Sequence, residues 1–66
     1  MNDREATYNG APVYRTTYTE RGNLAFWCEC HEIHVHGAGG GAGHRAAHCQ
    51  HHRASGYHLL LPETTT

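Results

Sequence analysis

Residues 28–49, CECHEIHVHGAGGGAGHRAAHC, hold all three cysteines and five of the eight histidines of the chain. A tight Cys-x-Cys pair, Cys28 and Cys30, is separated by the glycine-rich run 37–43 from a second cluster, His44, His48 and Cys49. Thiolate and imidazole are the donors Zn²⁺ prefers, and a structural zinc site needs four of them in a tetrahedron. The pattern therefore predicts one ion held between two halves of the chain, with Cys28, Cys30 and Cys49 as sulfur ligands and a histidine as the fourth. His44 and His48 are the first candidates, because residues four apart on a helix project about 40° from one another and reach the same point. Cys49 directly follows His48, and neighbouring helical residues seldom share an ion; the softer thiolate favours Cys49. His34 is the remaining alternative, leaving the Cys-x-Cys turn on the same strand face as His36.

Size makes such a staple necessary. The chain has 66 residues, of which 38% are apolar. A chain this short gains no more than about 3–5 kcal/mol from its hydrophobic core, so a metal, disulfides or a partner must supply the rest. Three cysteines cannot pair off within one chain, and Cys28 and Cys30 are too close in sequence to bond to each other. Metal ligation in a reducing compartment fits better, which places the protein in the cytoplasm. The formal net charge is −1, and all five cationic residues are Arg. No broad basic field is therefore available to attract nucleic acid. Apolar runs such as Leu59-Leu60-Leu61 are far too short for a signal peptide core or a membrane span.

Outward from the cluster, alternation predicts strands. Leu24, Phe26 and Cys28 share one face of a strand over 24–28, with Ala25 and Trp27 on the other. Val13 to Thr19, rich in β-branched and aromatic residues, reads as its hairpin partner across a turn at Gly22-Asn23. A short third strand over 32–36 sets Ile33 and Val35 against His34 and His36. The glycine run has no side chains with which to build a packed element. Residues 44–53 read as a short helix, although their apolar stripe (Ala46, Ala47, Cys49) is poor and so short a helix is marginal alone. Tyr57 to Leu61 reads as a closing strand. The expected fold is thus a small α+β zinc module, treble-clef-like or zinc-ribbon-like. It comprises a β-hairpin and short third strand with a zinc knuckle, one short helix after the glycine loop, and a C-terminal strand. Residues 1–12 are expected to be an irregular arm, 13–61 a single zinc-binding domain, and 62–66 a loose tail.

The cluster resembles a group of very small Cys/His zinc-binding proteins encoded by actinobacteria and their phages. Their pattern runs C-x-x-C, three residues, H-x-H-G, a glycine-rich stretch, G-H-R-x-x-H-C, and a closing G-Y strand. Cys30, His34, His36 and Gly37 match its first half, Gly43, His44, Arg45, His48 and Cys49 its second, and Gly56-Tyr57 its end. Cys28 stands one residue closer to Cys30 than the pattern has it. The resemblance implies zinc binding, and the group carries no assigned activity.

Three functions are weighed on these residues. A chain too small to enclose a pocket, with no spare acid/base constellation, is expected to be a non-enzymatic, zinc-stabilised interaction module binding another protein. Trp27, Tyr14 and Tyr18 are either its anchors or its core. A nucleic-acid-binding finger is the alternative, with Arg45 and Arg53 as phosphate contacts, but a ββα finger needs helix where GAGGGAG stands. A metal-dependent hydrolase would use His34, His36 and His44 as an open site with Glu29 or Glu32 as base, and would leave three cysteines idle. The glycine run matches no phosphate-binding motif. His31, His51, His52 and His58 are expected to be solvated.

Overall fold

The computed structural model describes residues 2–47 and 49–63. Among them, seven strands form two sheets: β1 (Arg4–Tyr8), β2 (Ala11–Arg15), β3 (Thr17–Tyr18), β4 (Leu24–Trp27), β5 (Ile33–His36), β6 (Gly43–Arg45) and β7 (Tyr57–Leu60). One sheet has the order β1-β2-β7-β6 and the other the order β3-β4-β5.

The first sheet starts with a hairpin that the hydrophobic pattern conceals. Every residue of β1 is exposed, so REATY carries no alternation to read. Its signal is the turn alone: Asn9 and Gly10 both take positive φ, 50° and 78°, between the paired Tyr8 and Ala11. That is the two-residue geometry for which Asn-Gly is suited. Residues 4–8 are therefore a strand, not part of an irregular arm. Next, β2 is buried over Ala11–Tyr14, flanked by β1 on one side and β7 on the other. The β2–β7 pairing is parallel, with Tyr14 opposite Leu59, so the long excursion between them must return the chain to the same end.

Thr16 begins that excursion. Its backbone N–H and its Oγ1 both donate to the Leu60 carbonyl, at 3.1 and 2.7 Å. The chain then passes into β3 and the second sheet. Asp3 ties the sheets together from the other side: its N–H donates to Trp27 O at 3.0 Å, and its carboxylate accepts from Trp27 N at 2.7 Å. The β3–β4 hairpin pairs Thr17 with Ala25 and Tyr18 with Leu24, and β4 buries Leu24 and Phe26 as its alternation requires.

The core lies where the sheets meet and is largely aromatic: Tyr14, Phe26 and Tyr57 with Leu24, Leu59 and Cys28. Tyr14 stacks on Phe26 at 4.5 Å between centroids, and Tyr57 meets Phe26 edge-on at 4.9 Å. Such pairs contribute about 0.5–1.5 kcal/mol beyond the area they bury. Tyr14 is thus core, whereas Tyr18 and Trp27 are exposed.

The helix expected over 44–53 does not form. Gly43–Arg45 is β6, pairing antiparallel with the free edge of β7, and only Gln50–His52 coils, as a 3-10 turn. The weak apolar stripe could not outweigh the ladder bonds that β7 offers, and Cys49 is extended (φ −111°, ψ 156°). The other 3-10 turn, Ala38–Gly40, falls in the glycine run. A treble-clef-like arrangement, which needs that helix, is not what these residues build. At the C-terminus, Leu61 O accepts from Arg15 Nη1 at 2.7 Å. Of the expected loose tail, residues 64–66 lie outside the described residues.

Candidate metal centre

A tight turn presents the first two sulfurs. Cys28 directly follows β4, its N–H bonded to Glu32 O, and His31 N–H returns to Cys28 O, both at 3.0 Å. His31 closes the bend at φ 69°, a conformation uncommon for a residue with a side chain. This turn sets the register of β5, placing His34 opposite Phe26 and Ile33 opposite Trp27. The consequence reverses the usual rule for a half-buried strand. His34 points inward at 6% exposure, while Ile33 and Val35 point outward at 51% and 43%. Turning β5 over would bury the two aliphatic side chains, a gain on the order of 1 kcal/mol each for the half still exposed.

What His34 joins is a donor cluster. Cys28 Sγ, Cys30 Sγ, a His34 ring nitrogen and Cys49 Sγ all lie within 4.8 Å of one another. Cys28 and Cys49 sulfurs are 3.8 Å apart and unbonded; Cys30 Sγ is 3.2 Å from His34 Nε2. A tetrahedral zinc with bonds of about 2.3 Å to sulfur sets its sulfurs about 3.8 Å apart, so the donor atoms fit that ion. Three ligands come from the β4–β5 hairpin and the fourth from the segment linking β6 to β7. An ion here would therefore fasten one sheet to the other.

Cys28, Cys30 and Cys49 from the sequence reading thus come together, joined by His34 in place of His44. His44 instead lies on β6, its Nε2 bonded to Ser55 O at 2.9 Å. The reason is the missing helix, on which the four-residue spacing of His44 and His48 depended. His48 lies outside the described residues. Nor are His34, His36 and His44 gathered as a three-histidine site, since His36 Nε2 bonds the Tyr57 hydroxyl.

Behind the sulfurs stands a network that no local sequence pattern signals. The Tyr14 hydroxyl lies 3.6 Å from Cys28 Sγ, 2.9 Å from His52 Nε2 and in hydrogen-bond contact with Glu29 Oε1. Glu29 also holds Arg4 at 2.8 Å. An ionised carboxylate only accepts, so the Tyr14 hydroxyl donates to Glu29 Oε1 and His52 Nε2 donates to the Tyr14 oxygen. His52 is consequently buried, against the expectation that it be solvated. Burial lowers its pKa despite the attraction of Glu29. For Glu29, burial alone would raise the pKa, but hydrogen bonds from Tyr14 and Arg4 outweigh it and the net shift is downward. Burial, then hydrogen bonds to Glu29 and Cys28, push the Tyr14 hydroxyl well above its ordinary value. Cys30 is pushed up to about 11, by burial first and then by the Cys28 thiol. At neutral pH an incoming ion must therefore displace a proton from Cys30.

Among the described residues, no helix is long and apolar enough to cross a membrane. No family model, curated protein or solved structure matches this chain.

Proposed function

We propose that this protein is a non-enzymatic interaction module, clamped by a structural Zn²⁺ on Cys28, Cys30, His34 and Cys49, that binds a protein partner in the cytoplasm. The observation that carries the reading is the set of three sulfurs and one imidazole nitrogen within 4.8 Å, drawn from both halves of the fold. Four protein ligands close a tetrahedron and leave no position for substrate, which favours a structural over a catalytic ion. Three unbonded cysteines suit a reducing compartment.

The surface proposed for the partner is the outer face of β4 and β5, where Trp27 and Ile33 are paired neighbours and Val35 extends the patch. Large apolar groups, tryptophan above all, anchor protein interfaces. Nucleic acid has less support, because Arg4, Arg15 and Arg45 are engaged with Glu29, with Glu5 and with backbone carbonyls respectively.

Metal analysis and X-ray absorption on the purified chain test the site: one zinc with three sulfurs and one nitrogen is expected, and fewer sulfurs would overturn it. Affinity capture tests the surface. Trp27→Ser with Ile33→Ser should lose the protein partner while keeping the zinc. Unchanged capture, or a nucleic-acid partner lost steeply with salt, would reject the protein-binding reading.

A further inference from the structure

His44 and His58 stand directly opposite each other on the antiparallel pair β6–β7, and neither belongs to the sulfur cluster. Their ring centroids are 5.0 Å apart. An ion about 2.0–2.1 Å from one nitrogen of each ring lies about 3.2 Å from each ring centre, so adjacent positions in an octahedral or tetrahedral shell require centroids about 4.5–5.2 Å apart. The observed separation falls in that range.

Orientation supports the same reading. His44 Nε2 is 2.9 Å from the carbonyl oxygen of Ser55. A carbonyl only accepts, so Nε2 carries the hydrogen and Nδ1 keeps its lone pair. Metal-binding imidazoles are commonly held this way, by a backbone carbonyl on the distal nitrogen. Gly56 makes room for it: its φ is +67°, and a Cβ there would sit 2.5 Å from His44 Nε2. On the other side Tyr8 meets the His58 ring edge-on at 5.3 Å and limits its rotation. His44 is exposed and His58 half-buried, so solvent reaches the pair.

We propose that His44 and His58 form a second, open metal site that takes a borderline divalent cation such as Ni²⁺ through two imidazole nitrogens, with water completing the shell. Nitrogen donors of this kind select such ions over Mg²⁺ or Ca²⁺. The two sites share no ligand.

The full chain, loaded with zinc, is titrated with Ni²⁺ at neutral pH by calorimetry, and paramagnetic broadening of the imidazole resonances is followed by NMR. One further equivalent is expected, with broadening centred on His44 and His58. His44→Gln and His58→Gln should each weaken it by about tenfold or more, while His51→Gln leaves it unchanged. Zinc content, measured on the same samples, reports the sulfur site separately. Broadening centred on His51, or affinity unaltered in both glutamine variants, would overturn the proposal.

Discussion

β4 and β5 are neighbours in one sheet, yet they obey opposite rules. In β4 the apolar Leu24 and Phe26 face the core. In β5, Ile33 and Val35 face solvent and His34 faces the core. Register is ordinarily fixed by burying the apolar face, because a one-residue slip turns every side chain over. Here the Cys28–His31 turn fixes it instead, and the imidazole is brought to the sulfurs at the expense of two aliphatic contacts. The magnitudes suit the proposed clamp: those contacts amount to a few kcal/mol at most, whereas a structural zinc would supply about 10–16 kcal/mol at neutral pH. Hydrophobic pattern organises β4, and donor geometry organises β5.

The sharpest way to break this contrast is to remove the ion. Chelation should abolish the dispersed NMR spectrum of the whole chain, β4 included, since the small aromatic core and the Asp3 bonds that also join the sheets supply only about 3–5 kcal/mol; a folded metal-free protein would show that packing alone fixes β5. His34→Ala and Cys49→Ser should do nearly the same, with zinc content falling below one per chain.

Within the loaded protein, the two strands should respond to mutation in inverse proportion to their hydrophobicity outward. Phe26→Ala is expected to cost about 3–5 kcal/mol in denaturant unfolding, while Val35→Thr should stay within about 0.5 kcal/mol. Equal losses would mean that the β5 face is packed against something.

Tyr14→Phe isolates the support behind Cys28. It keeps the stacked ring but leaves His52 Nε2 without its acceptor and Glu29 with Arg4 alone, at a cost of about 1–3 kcal/mol, and should weaken zinc by about 10–100-fold in competition with a chromophoric chelator.

Acidification gives the gentlest probe. The pKa of Glu29 is lowered in the fold, so its contribution is full above the ordinary carboxylate range and is lost as pH falls through the folded value. Protons also compete with the ion for Cys30, whose thiol is pushed up to about 11. Stability should therefore fall toward acid, and Glu29→Gln should flatten part of that slope in a pH series of thermal melts.

Legibility in the sequence follows the same division. The faces of β4 and the closing strand could be read because alternation reports burial. Of the partner strand expected over Val13–Thr19 only Thr17–Tyr18 pairs with β4, residues 13–15 belonging to the other sheet. In β5 alternation separates two faces without telling which is buried. Cys28, Cys30 and Cys49 could be read because thiols in a lean chain have few other uses. β1 is not legible by alternation, since all its side chains are exposed and only Asn9-Gly10 marks it. The helix over 44–53 was expected from local composition, yet the bonds available at the edge of β7, which no local window contains, decided the matter. With it went the assignment of His44, and His34 rose from alternative to cluster member. The Tyr14–Glu29–His52 network joins residues up to 38 apart, and no local signal links them.

The sheet order β1-β2-β7-β6 has a temporal meaning. β7, the last strand in sequence, occupies an interior place, so β2 and β6 lack their shared neighbour until Tyr57–Leu60 docks between them. The hairpin and its sulfurs are complete by residue 49 and can capture an ion earlier. On the proposed zinc clamp, loading would precede closure, with β7 docking between strands that the ion has already drawn together.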